Sequence, residues 1–170
     1  SVDGIGQVYV ADNVNHRIQM FTAEGAFIAQ WGDSRRTPGQ FHIPEGIAED
    51  RLGQVYVADT FNNRIQKFTS DGAFISQWGN SADNPGFHLP MGIAVDIAGQ
   101  VYIADVNRIQ KYSSDGTFLI QWGTKGSNPG EFDEPSGIAV NSLGHVYVAD
   151  RGNHRILKFS DDGTFIAQWG

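Results

Sequence analysis

Four aspartate–arginine couples are the first residues in this sequence whose types and spacing suggest chemistry. Asp12 and Arg17, Asp59 and Arg64, and Asp150 and Arg155 stand five residues apart, and Asp105 and Arg108 stand three apart. A carboxylate beside a guanidinium is a candidate for acid–base work, yet catalysis needs one distinct pocket and these couples recur. Recurrence points to structure instead. The carboxylate accepts from loop N–H groups and from the guanidinium, and such charge-assisted hydrogen bonds are strong. Structural ion pairs perturb acidities as readily as active sites do, so all eight residues are read as structural.

A second group is less uniform. His42 and His88 hold equivalent places, with Asp133 at the third. Imidazole and carboxylate converging on one point are metal-ligand types, although equivalent positions converge only if they lie near a common axis. The simpler reading is solvated loop groups, and no metal is assigned. His16 and His154 precede or flank the arginines and read as polar loop residues. Glu49 is the odd residue of the set, standing where Val95 and Val140 stand elsewhere. An unpaired buried carboxylate is costly, so Glu49 is expected to reach water or a partner. With Glu45, Met91 and Ser136, which follow three prolines, these residues form the expected ligand-binding surface: His42, Glu45, Glu49, His88, Met91, Asp133 and Ser136. No phosphate loop, nucleophile elbow, HExxH or calcium-loop pattern is present, so neither a catalytic residue nor a cofactor is expected.

What positions these residues is a repeat. Gln7–Asp12 and Gln54–Asp59 read QVYVAD, Gln100–Asp105 reads QVYIAD, and His145–Asp150 reads HVYVAD. The tyrosines Tyr9, Tyr56, Tyr102 and Tyr147 follow one another at 47, 46 and 45 residues. A period in that range marks a solenoid, a propeller or an array. Each unit contains four strand-like segments. The first follows a proline, as in Pro44-Glu45-Gly46-Ile47-Ala48, and its apolar run suggests burial on both faces. The second is VYVAD, and the third is the more polar Arg-Ile-Gln-Lys-Phe. An Asp-Gly or Glu-Gly turn then leads to a fourth strand ending on Trp31, Trp78, Trp122 or Trp169, whose recurrence speaks for packing rather than a ligand cage. Burial is expected to be greatest at the first strand and least at the last two. That gradient predicts an all-β fold, a β-propeller of four-stranded antiparallel blades, and not helical or leucine-rich repeats.

The predicted blades cover residues 1–32, 40–79, 86–123 and 131–170 of a single 1–170 segment, and the first keeps only Ser1-Val2-Asp3 of its inner strand. The third unit has lost two residues from the loop between its second and third strands, a change repeat scaffolds tolerate.

Composition fits this picture. The 170 residues are 40% hydrophobic and 12% aromatic with 21 glycines, enough for a packed core joined by tight turns. Net charge is −7, the wrong sign for a phosphate-neutralising surface, so nucleic acid is disfavoured apart from the local Arg35-Arg36 pair. There is no cysteine, and no apolar run approaches the roughly 20 residues that span a membrane.

The sequence resembles NHL-repeat β-propellers. The residues that carry the resemblance are Pro90-Met91-Gly92-Ile93-Ala94, Gly53 to Asp59, Asn63 to Phe68, and Gln121 to Phe132 with its Trp-Gly and Pro-Gly-Glu-Phe. The resemblance implies a toroid of four-stranded blades, most often six, that displays a binding surface; some members are lyases or bind single-stranded RNA. Four blades would leave apolar faces open. A piece of a longer propeller, or self-association that completes the ring, is therefore expected. The functional expectation is a non-catalytic scaffold that binds a protein or other ligand through rim loops and a channel mouth. Specificity would sit in the segments 33–40, 80–86 and 124–131. The alternatives are a lyase or hydrolase with a channel metal and, more weakly, an RNA binder.

Overall fold

The computed structural model describes residues 1–79 and 85–170 and is all-β. Among the described residues fifteen strands form four antiparallel sheets, each a meander of sequence-adjacent strands. The first blade contains β1 (Val8–Asp12), β2 (Arg17–Phe21) and β3 (Phe27–Trp31), and Val2 adds a single antiparallel bridge to Val8 in place of an inner strand. The second contains β4 (Pro44–Glu49), β5 (Val55–Asp59), β6 (Arg64–Phe68) and β7 (Phe74–Trp78). The third contains β8 (Pro90–Val95), β9 (Val101–Asp105), β10 (Arg108–Tyr112) and β11 (Phe118–Trp122). The fourth contains β12 (Pro135–Val140), β13 (Val146–Asp150), β14 (Arg155–Phe159) and β15 (Phe165–Trp169). These four sheets are propeller blades. The chain divides into two compact units of two blades each, Ser1–Leu89 and Pro90–Gly170.

Register gives every blade two different faces. In the second blade Ala48 pairs with Tyr56, Tyr56 with Lys67, Ala58 with Ile65 and Ile65 with Trp78, which places these side chains on one face, the tyrosine face. Val55 and Val57 with their partners Phe68 and Gln66 lie on the other, the valine face. In the first unit the tyrosine face of blade 1 (Tyr9, Ile18, Met20) packs on the valine face of blade 2 (Val55, Val57, Phe68), with Phe41 beside them. In the second unit Tyr102, Ala104 and Ile109 of blade 3 pack on Val146, Val148, Leu157 and Phe159 of blade 4, with Phe132 in the place of Phe41. The strict alternation along each strand is what lets one sequence present two complementary surfaces.

One recurring contact fixes the spacing of packed blades. Gly72, in the turn between β6 and β7 at φ +89°, lies against the indole of Trp31, and a Cβ there would stand 2.7 Å from the ring. Gly163 meets Trp122 in the same way, also at 2.7 Å. Glycine is thus required twice over, by the left-handed backbone and by the close approach.

The expected burial gradient is corrected. Strands β5, β6 and β9 are buried at every position, whereas the inner strands are buried at four positions in β8, two in β4 and one in β12. An inner strand is a sheet edge with one hydrogen-bonded neighbour, whereas middle strands have neighbours on both sides. The polar third strand β6 is buried because its polar groups are all engaged. Lys67 lies over the Tyr56 ring with its ammonium 5.0 Å from the centroid, and Arg64 and Gln66 enter a hydrogen-bonded network described below. Among the described residues no helix is long and apolar enough to cross a membrane.

Candidate functional site

The turn between the first and second strands carries an acceptor with a fixed task. Asp50 Oδ1 accepts from the N–H groups of Leu52 and Gln54 at 2.9 and 3.0 Å, and its Oδ2 accepts from the Tyr56 hydroxyl at 2.9 Å. Asp96 repeats this with Ala98, Gln100 and Tyr102. Burial, together with the neighbouring carboxylate, drives the Tyr56 and Tyr102 phenols well above the ordinary tyrosine range. These aspartates hold Tyr56 and Tyr102 in place.

At the opposite end of the strands the aspartate of the couple is a hub. Asp59 Oδ1 accepts from the His42 N–H at 2.7 Å; its Oδ2 accepts from Arg64 Nε at 2.7 Å, Asn62 at 2.9 Å and Gln66 at 3.0 Å. Arg64 donates onward to Gln77 and to the carbonyls of Arg36, Thr37 and Gln40 at 2.8–3.1 Å. The segment leading into blade 2 is thereby strapped to its third strand. Blade 4 repeats the hub: Asp150 takes the Asp133 N–H, Asn153 and Arg155, and Arg155 donates to the carbonyls of Ser127, Asn128 and Glu131. In blade 3 Asp105 accepts from Arg108 at 2.9 Å and Gln110 at 2.8 Å, and in blade 1 Asp12 accepts from Arg17 at 2.8 Å and Asn15. The Arg17 hydrogen bond holds the Asp12 carboxyl below the usual carboxylate range.

Above the Asp59 hub sits an aromatic row. His16 adopts a left-handed backbone (φ +55°), and its Nδ1 accepts from the Ile43 N–H at 3.0 Å. Its ring lies 5.5 Å from that of His42, and His42 lies 5.4 Å from Phe61. The Phe61 N–H donates to the His42 carbonyl at 3.1 Å, which ties the short 3-10 turn Thr60–Asn62 to the row. Phe61 is 47% exposed and borders a cleft lined by Arg36, Asn62, Asn63 and Arg64. The Arg35 side chain is largely in solvent, with Nε 3.5 Å from Asp33. Aromatic surface, two arginines and amide groups therefore share one exposed edge of the first unit.

The expected site residues are distributed as follows. His42 is in the row, and Glu45 is half-buried on β4 just beyond it. Glu49 is at the far end of the same strand, ~13 Å from Glu45 at about 3.3 Å per residue, so it does not share this surface. One Glu49 oxygen is buried without a hydrogen-bond partner, and burial with the nearby Asp3 charge pushes its carboxyl up. His88 is exposed in the segment before β8. In the second unit Met91 and Ser136 are half-buried on β8 and β12, while the Asp133 carboxylate lies 3.9 Å from Lys125 and its carbonyl accepts the Gly152 N–H. Among the described residues no three His, Cys, Asp or Glu side chains come together in a group fit to hold a metal. Of the variable segments, 33–40 and 124–131 are the ones strapped by Arg64 and Arg155, and 80–84 lies outside the described residues. Phe61 is the residue that sequence reasoning passed over; His16 reads there only as a polar loop residue and Arg36 only as part of a local basic pair. The available signal was Phe61 itself, an aromatic where blades 1 and 4 carry Val14 and Gly152.

Comparison with known proteins agrees with the fold. The NHL repeat family model matches residues 41–68 and 132–159. The structure is similar to virginiamycin B lyase from Staphylococcus aureus, with 18% identity, a TM-score of 0.72, and coverage of 99% of this chain and 53% of that one. It is similar to a streptogramin B lyase, with 17% identity, a TM-score of 0.75, and coverage of 99% and 52%. The WD40 repeats of RRP9 match at 10% identity and a TM-score of 0.73 over 96% of this chain and 46% of that one. The chain spans about half the length of these solved structures.

Proposed function

We propose that this NHL-repeat chain is a non-catalytic scaffold whose loops hold a protein partner, and that the edge built on His16, His42 and Phe61 is where it does so. The observation that supports the reading is Phe61: a large aromatic side chain, half in solvent, its ring against the tilted imidazole of His42, which His16 backs in turn, and bordering a cleft with Arg36. Aromatic and arginine side chains carry most of the energy in protein interfaces, and a rigid ring loses little entropy on binding. Arg35 and Arg64 are matched by Asp33 and Asp59, which leaves Arg36 as the cation at the cleft and favours an extended peptide segment that carries a carboxylate. The hub beneath is committed to holding loops, since every Arg64 nitrogen donates to a protein acceptor.

Selection from a displayed peptide library tests the reading. Acidic peptides should be enriched on the wild-type chain, and their affinity should fall at least tenfold with Phe61→Ala and with Arg36→Ala. Enrichment that both variants leave unchanged, or none at all, rejects it. The lyases that share the fold motivate the enzymatic alternative, and RNA that competes with the peptides in a salt-sensitive manner would favour the nucleic-acid reading.

A further inference from the structure

We propose that His16 is a proton-sensitive strap between blades 1 and 2: as a neutral imidazole it holds the segment that enters β4, and its protonation releases that segment together with the edge formed by His42 and Phe61. The strap stands on its own geometry, and its effect on a bound peptide rests on the reading above. One backbone donor carries it. Ile43 takes a left-handed conformation (φ +52°), which a β-branched residue adopts only when its surroundings hold it there. Its N–H crosses to the neighbouring blade and donates to His16 Nδ1 at 3.0 Å. A ring nitrogen accepts only while it carries no proton, so this bond fixes the tautomer with hydrogen on Nε2. A proton on Nδ1 sets the imidazolium N–H against the amide N–H, two donors face to face, and the bond is lost.

The next repeat supplies the contrast. Leu89 is also left-handed (φ +56°), and its N–H donates to Asn63 Oδ1 at 2.9 Å; Asn63 (φ +52°) and His16 (φ +55°) share one backbone conformation. A carboxamide oxygen does not titrate where an imidazole does, at about pH 6.5. Of two straps built alike, the one beneath the aromatic row therefore answers to protons. Release at Ile43 has a short way to travel. His42 precedes it, with its N–H held by Asp59 at 2.7 Å and its carbonyl accepting from the Phe61 N–H at 3.1 Å. The His16 ring backs that of His42 at 5.5 Å, and two protonated rings at that spacing repel. The charges nearby do little to offset this. On the strap's own loop Asp12 is engaged by Arg17, and Asp33, which follows the Gly32 packed on the His16 carbonyl, lies 3.5 Å from Arg35. Beyond Phe61 stand the cations Arg36 and Arg64, the latter matched by Asp59. From the β4 side the ionisable groups are His42 and, two residues after Ile43, Glu45.

Amide and imidazole resonances of the isotope-labelled chain, followed from about pH 8 to about pH 5, test the strap. The Ile43 amide signal should shift along the same titration curve as the His16 ring, with the His42 and Phe61 amides following, while the Leu89 amide stays in place. His16→Asn should abolish the Ile43 response with circular dichroism matching the wild type, and His42→Gln and Glu45→Gln should each retain it. An Ile43 signal that does not move, that moves equally in His16→Asn, or that moves only together with Leu89 overturns the proposal. For a peptide selected on the wild-type chain, affinity should fall about fivefold over the same acidification, the size of one lost hydrogen bond, and should hold in His16→Asn. An Ile43 response without any peptide binding would reject the peptide edge and leave the strap established.

Discussion

Blade 2 and blade 1 contain the same aspartate–arginine couple at the same spacing and nearly the same distance, 2.7 and 2.8 Å, yet the two pairs differ in kind. The Arg64 and Asp59 side chains are 3% and 0% exposed, those of Arg17 and Asp12 31% and 21%. The difference is the segment 36–40, whose carbonyls close over Arg64; Arg17 donates to Asp12 and Gln30. One motif serves as a buried strap in one blade and as a surface ion pair in another. What decides its worth is what covers it.

That comparison is most directly broken by removing each arginine. Arg64→Ala leaves a buried carboxylate and several carbonyls without a donor and should cost about 3–5 kcal/mol in urea unfolding. Arg17→Ala should cost a small fraction of this, and equal losses would show that the covering segment contributes nothing. The turn glycines give a smaller effect along the same axis. Gly72→Ala must both strain the backbone and displace the Trp31 indole, whereas Gly25→Ala meets open space and should cost only the left-handed penalty of about 1–2 kcal/mol. Thermal unfolding should rank Gly72→Ala clearly below Gly25→Ala. Smaller still is the bond from Ile43 N–H to His16. The second blade solves the same problem with Asn63 Oδ1, which accepts from Leu89 N–H at 2.9 Å. His16→Asn should therefore keep stability, and His16→Leu should lose about 1 kcal/mol.

The smallest effects concern acidity, and they run in opposite directions. The folded Asp12 carboxyl lies below its unfolded value because Arg17 hydrogen-bonds to its charged form. It contributes stability above the ordinary aspartate value of about 3.9, and that contribution is lost as pH falls through the lower folded value. Glu49 is raised by burial and by Asp3. Its folded form holds the proton more tightly, so its contribution is present below the ordinary glutamate value of about 4.3 and lost as pH rises through the folded value. Glu49→Gln should raise the melting temperature at neutral pH and lose that advantage in acid. A gain that persists unchanged in acid would count against the buried charge as its source.

Much of this architecture was legible because strand periodicity and recurrence are local properties. QVYVAD, the Asp-Gly turns and the closing Trp-Gly define four blades from residue order alone. The burial of β6 was not legible, because Arg64, Gln66 and Lys67 look like solvent residues until a carbonyl-lined segment and a tyrosine ring are placed against them. The role of Asp50 was hidden for the same reason, since its tyrosine partner is six residues on and on another strand. At the candidate edge, His42 stood out by its type, whereas Phe61 and His16 matter through tilted ring contacts with it, the His16 one crossing from one blade to the next. Differences between repeats were the better guide to that edge, and similarities the better guide to the frame.

The two unlike faces of each blade carry a consequence for how such chains change length. Because the joints within the two units, tyrosine face on valine face, are built alike, duplicating or losing one whole repeat of about 46 residues sets a tyrosine face against a valine face again without any new interface being invented. Selection can thus adjust the number of blades in whole steps while the loops diverge one at a time, and the glycine at each outer turn is the residue that keeps the steps interchangeable.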